Sequence, residues 1–88
     1  MMTAEQLYIY SKGQLKALGL HLRSKVAGGA YDGYLNGKHL LSVAEASKSI
    51  SINLKKPDGS WAGAQPITSQ PALRKFVQDY VKPMVEED

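Results

Sequence analysis

Apolar residues recur along the first third of the chain with the period of a helix. Leu7, Tyr8, Leu15, Leu18, Leu22 and Val26 fall within an arc of about 100° when each residue is turned by about 100°. Such a stripe turns one helix face to a core. Thr3 and Gln6 have the spacing of a capping box, which starts the helix at Ala4. Gly13 and Gly19 each cost about 1 kcal/mol against alanine in a helix interior. The pattern therefore fits one long helix, or two shorter ones meeting near Gly13, with Gly28-Gly29 as the stop.

The period then changes. Asn36-Gly37 suits the central positions of a type I′ turn, where both residues take positive φ. Tyr34-Leu35 before it and Lys38 to Leu41 after it read as short paired strands, although Asp32-Gly33 is a competing turn signal. A lone hairpin is marginal in water and must lean on another element. Ser42-Val43-Ala44-Glu45 repeats the capping-box spacing and predicts a short helix over 43–49, with Val43, Ala46 and Ile50 as its apolar face. Ile50, Ile52 and Leu54 alternate with Ser51, Asn53 and Lys55, which is strand periodicity, so Ile50 is claimed by two elements. Pro57-Asp58-Gly59-Ser60 is a turn. The stretch from Trp61 to Ile67 reads as a returning strand whose Pro66 belongs at a sheet edge or outside the ladder.

Thr68 or Ser69 caps a last helix with Pro71 in its first turn. Leu73, Phe76, Val77, Tyr80, Val81 and Met84 form its apolar face, and Pro83 ends or kinks it near Lys82. The expected fold is α+β. It is a single small domain over residues 1–88, with N- and C-terminal helices packed on a small antiparallel sheet and one short middle helix. Residues 84–88 are expected to be a frayed acidic tail.

Charge changes this picture little. The net charge is +3 and the isoelectric point is near 9.2. Residues 1–56 carry eight Lys or Arg against three acids, and residues 57–88 carry three against five. A basic body raises the standing of acidic partners, nucleic acid among them. With no cysteine in 88 residues, disulfides and thiol chemistry are excluded, which fits a reducing compartment. No apolar run approaches the roughly 20 residues of a membrane-spanning helix. The first residues lack the basic flank of a secretory signal. The expected location is cytoplasmic, with no membrane partner.

Candidate chemistry is sparse. His21 and His39 are far apart, and no third ligand accompanies either, so no metal site is expected. Asp32, His39 and Ser42 contain the residue types of a triad, but Ser42 is better read as a helix cap. The glycines lack the phosphate-loop pattern. No enzyme, catalytic residue or cofactor is expected.

Two surfaces remain. If the first helix is continuous, Ile9 and Leu20 form a second apolar patch beyond its charged flank. With Tyr10, Tyr31 and Tyr34 they are the candidate protein-interface residues. The leading reading is a small binding protein that regulates or inhibits a larger partner, or self-associates as a homodimer. The alternative is nucleic-acid binding through a basic patch of Lys12, Lys16, Arg23, Lys55 and Lys56, with Tyr34 or Trp61 stacking on unpaired bases. For the lysines beside Trp61 the plainer account is edge-strand decoration around a tryptophan that closes a small core.

Overall fold

The first helix begins as its spacing predicts. In the computed structural model, which describes residues 3–24, 30–46 and 48–87, the Gln6 amide donates to Thr3 Oγ1 at 3.1 Å. The Thr3 amide donates in return to Gln6 Oε1 at 2.9 Å. Helix α1 spans Ala4–Ala17 and buries Ala4, Leu7, Ser11 and Leu15. Ser11 is tolerated inside because its hydroxyl donates to the Tyr8 carbonyl at 2.7 Å.

The helix is shorter than expected. It ends where Gly19 takes φ +91°, a left-handed conformation that suits glycine. The Gly19 amide donates to the Lys16 carbonyl and the Leu20 amide to the Leu15 carbonyl. That pair of bonds is a Schellman motif. Gly19 is thus the stop, and the glycine pair at 28–29 and Val26 lie outside the described residues.

Beyond this cap the chain is strand. Strands β1 (His21–Ser24), β2 (Ala30–Leu35), β3 (Lys38–Glu45), β4 (Ile50–Lys55) and β5 (Trp61–Ile67) form a five-stranded sheet in sequence order, every neighbouring pair antiparallel. The turn at Asn36-Gly37 has φ values of 52° and 83°, as a type I′ hairpin requires. The turn between β4 and β5 is held by the Asp58 carboxylate, which accepts from the Ser60 hydroxyl at 2.6 Å and its amide at 2.9 Å. These bonds, the hydroxyl first, keep the Asp58 carboxyl below its ordinary pKa. Pro66 sits on the edge strand β5, where a missing donor is tolerated.

The expected middle helix does not exist. Residues 43–45 continue β3, with Val43 opposite Ile52 and Leu41 opposite Leu54. Leu41, Val43, Ile50 and Ile52 are all buried on one sheet face. A helix there would surrender the pairing of Val43 with Ile52 and of Glu45 with Ile50 for a single surface cap. Glu45 instead accepts from the Tyr31 hydroxyl at 3.3 Å. Ser47, another residue of that expected helix, lies outside the described residues.

A bulge lets two adjacent leucines share the core. Gly33 pairs with Leu41 and Tyr34 with His39, so Leu40 is the extra residue, and both Leu40 and Leu41 are buried. Gly33 leaves room for this packing. A Cβ at that position would lie 2.7 Å from Leu41 Cδ1 and 3.3 Å from Leu22 Cδ2.

The chain returns as helix α2 (Gln70–Phe76), capped by Ser69, with the Ala72 amide donating to Ser69 Oγ at 3.3 Å. A π-helical segment, Val77–Val81, and helix α3 (Lys82–Glu87) continue it. Leu73, Val77 and Val81 point into the core. Pro83 has no amide to donate and its ring crowds the carbonyl four residues back, that of Asp79. The wider π turn, in which the Lys82 amide reaches the Val77 carbonyl, lets the rod pass the proline without ending. Residues 84–87, expected as a frayed tail, are helical, and Met84 and Val85 pack against the core.

Replacing Gly33 with alanine is expected to cost about 1–3 kcal/mol through overpacking against Leu41. A urea denaturation curve with an unchanged slope and a lower midpoint is the check.

Candidate functional site

Side chains alternate between sheet faces, and both helical elements lie on the same face. That covered face carries Leu22, Leu41, Val43, Ile50, Ile52, Leu54 and Ile67, packed with Leu7, Leu15, Leu73, Val77 and Val81 of the helices. The opposite face has no described helix against it. It presents His21, Arg23, Asp32, Tyr34, His39, Ser42, Ser51, Asn53, Lys55, Trp61 and Ala64.

One row crosses this open face and takes one residue from each strand. Arg23 of β1 holds its guanidinium 5.1 Å from the ring centre of Tyr34 in β2. Tyr34 stacks on His39 of β3 at 5.0 Å. His39 meets Trp61 of β5 edge-on at 5.3 Å. Lys55 of β4 stands between them, its Nζ 3.4 Å from His39 Nδ1 and 5.3 Å from the Trp61 ring centre. Cations and aromatic rings thus meet side by side across the sheet, each contact of a favourable kind.

His39 is the hub. Its Nε2 lies 3.1 Å from the Leu41 carbonyl and 3.2 Å from Asp32 Oδ1, two acceptors. Its Nδ1 faces the Lys55 ammonium, a donor. A hydrogen on Nε2 would satisfy the Leu41 carbonyl and leave a lone pair on Nδ1 for Lys55. The ring is thereby fixed in orientation between Tyr34 and Trp61.

The predicted interface residues do not gather. Ile9 is 60% exposed on α1, but Leu20 is 2% exposed in the core. Their shared patch needed a helix running through Gly19, and the Schellman stop removes it. Tyr10 is half-buried and accepts from Arg74 at 3.4 Å. Tyr31 lies on the covered face, its ring stacked 4.0 Å from Tyr8. Tyr34 belongs to the open-face row. The basic patch divides as well. Lys12 and Lys16 are exposed on α1, whereas Arg23 lies on the far side of the sheet, on the same face as Lys55. Lys56 is exposed at the turn that follows Lys55.

Of the two proposed stacking residues, Tyr34 has a partner on each side, Arg23 and His39. Trp61 is 40% exposed and is not among the residues packed against the core, so it does not close one. Sequence reasoning missed His39 as the hub. The available signal was its place two residues after Asn36-Gly37, which puts it across the hairpin from Tyr34. Among the described residues no three His, Cys, Asp or Glu side chains gather as a metal site. Nor is any described helix long and apolar enough to cross a membrane.

Comparison with protein-family models, curated proteins and solved structures finds no match.

Two expectations follow from the placements. Ile9→Ala should change stability by no more than about 0.5 kcal/mol, while Leu20→Ala should cost about 2–5 kcal/mol, both read from denaturant unfolding. The Tyr8–Tyr31 pair adds an alkaline signature. Burial, then the neighbouring Tyr31 and Glu45, raises the Tyr8 phenol above its ordinary pKa of 10.0. Burial, then Glu45, does the same for Tyr31. Raised folded-state pKa values mean that the folded protein holds these protons longer than the unfolded chain. Their contribution to stability is whole below pH 10 and is lost as pH rises through the folded values. Tyr31→Phe should flatten that alkaline loss and remove a late-titrating component from the tyrosinate absorbance curve.

Proposed function

We propose that this protein is a nucleic-acid-binding module and that the open sheet face is its binding surface. The observation that carries the reading is the cross-strand row of Arg23, Tyr34, His39, Lys55 and Trp61. Its chemistry matches a nucleotide chain, with cations for phosphates and flat rings for bases. Lys56 adds an exposed cation at the turn between β4 and β5, and exposed His21 stands on β1 with Arg23. Asp32 is the acid that the described strands place on this face, and its carboxylate lies 3.2 Å from His39 Nε2.

The row also stabilises the sheet, since cross-strand aromatic and cation pairs contribute roughly 0.2–1 kcal/mol each. Stability alone does not account for a tryptophan left outside the core on an edge strand, beside two lysines. This surface departs from the expected basic patch. Lys12 and Lys16 belong to another side of the molecule, and the contacts are assigned to Arg23, Lys55 and Lys56.

A protein interface is the second reading, and Ile9 favours it, exposed on α1 beside Lys12. Leu20 no longer supports it. In that reading Ile9→Ala weakens self-association or partner binding and leaves the open face without a role.

The test is fluorescence anisotropy of labelled mixed-sequence DNA at several salt concentrations. Binding should weaken as salt rises, with a slope of about −0.7 to −0.9 in log K against log salt for each phosphate neutralised. Arg23→Ala should reduce that slope by one such step, and Lys12→Ala should leave it unchanged. Absence of binding at low salt, or loss on Lys12→Ala alone, contradicts the assignment.

A further inference from the structure

We infer that the strand held on this face is unpaired, DNA or RNA, and that Trp61 is the platform on which one of its bases stacks. The inference rests on the nucleic-acid reading above and narrows it to a single strand.

A duplex hides the faces of its bases inside the helix. It offers a protein its phosphates and the edges in its grooves, and reading those edges takes a helix or a two-stranded ribbon that enters a groove. The surface here is neither. It is the broad face of a five-stranded sheet with aromatic rings standing on it. An exposed ring gains most from a base whose face is free.

Trp61 is the ring in the right state. It is 40% exposed, lies outside the core, and stands on edge strand β5, where no further described strand shields it. Lys55 Nζ lies over the indole, 5.3 Å from its ring centre, and a base that stacks there would displace this cation toward the adjoining phosphate. His39, hydrogen-bonded to the Leu41 carbonyl and adjacent to Asp32, meets the indole at 78°. Tyr34 is less exposed than Trp61 and stands inside the row, between Arg23 and His39. At that end the phosphate contact is Arg23, not a stacked base.

The span is suitable. Five strands at about 4.8 Å spacing put β1 and β5 roughly 19 Å apart, about six nucleotides at the 3.4 Å per residue of a stacked strand. Ser42, Ser51, Asn53 and Ala64 beside the row are small, so the floor stays low next to the standing rings.

Trp61 is the chain's one tryptophan, so its emission reports this position alone. The experiment titrates the full chain with a single-stranded DNA of about ten nucleotides, longer than the roughly six required, then with the same sequence as RNA, then with the annealed DNA duplex. Single strands should quench Trp61 and bind at least about tenfold more tightly than duplex, since only they offer a free base face. Trp61→Ala should weaken single-strand binding roughly 5- to 150-fold, the range for loss of one base–aromatic stack. Trp61→Phe should retain most of the affinity, with unchanged circular dichroism showing that both variants fold. Quenching by DNA and RNA alike supports recognition of base and phosphate. A preference for one of them also supports the unpaired strand and identifies its sugar. Duplex bound as tightly as single strand, without change in Trp61 emission, overturns the inference and leaves the nucleic-acid reading standing. No binding of any of the three overturns both.

Discussion

A single layer of aliphatic side chains holds this molecule together, clamped between one sheet face and the helices at both ends of the chain. Leu7 and Leu15 reach it from α1, Leu73, Val77 and Val81 from the C-terminal rod, and Leu41, Val43, Ile50, Ile52 and Ile67 from the strands. An 88-residue chain has material for one such layer. Spending both helices on the same side leaves the other sheet face in water. An antiparallel sheet tolerates that exposure when the wet face is polar or paired across strands. Here it is both, through the row from Arg23 to Trp61. The side chains that make the open face stable are those that give it its chemistry.

The position of that row depends on how α1 ends. The Schellman bonds at Gly19 turn the chain out of the helix and drop Leu20 into the core. The next four residues then form β1 against β2, and strand alternation sends Leu22 inward and Arg23 outward onto Tyr34. Had the helix continued, Arg23 would lie beside Lys12 and Lys16, and the row would lack its first cation. The bulge at Leu40 acts similarly at the centre. It admits two consecutive leucines to the core while keeping His39 opposite Tyr34 on the open face.

Local signals that agreed with tertiary packing were legible in the sequence. The Thr3–Gln6 box, the Asn36-Gly37 turn, the alternation from Ile50 to Lys55 and the Ser69 cap all sit where their residue types imply. The two terminal helices and the antiparallel sheet between them followed from these. Ser42 to Glu45 misled because the spacing of a capping box carries no information about neighbours. Val43 gains more from burial against Ile52 than the segment gains from a surface cap. Gly19 misled because one glycine either interrupts a helix or ends it, and the choice depends on whether Leu20 finds a core. The open-face row was invisible for a related reason. Its members are spread from residue 23 to residue 61, and only the strand order brings them together. Tyr34, Trp61, Arg23 and Lys55 could each be singled out as a residue type, but their adjacency through His39 could not.

The central claim is that the uncovered sheet face is the working surface and the helical side is its support. The most direct test is a map of backbone and indole amide shifts in a nitrogen–proton correlation spectrum as a short single-stranded oligonucleotide is added. The account predicts shifts concentrated at Arg23, Tyr34, His39 and Lys55, with the Trp61 indole signal moving furthest and α1 unaffected. Shifts centred on Ile9, Lys12 and Lys16, with the Trp61 indole unmoved, would contradict it.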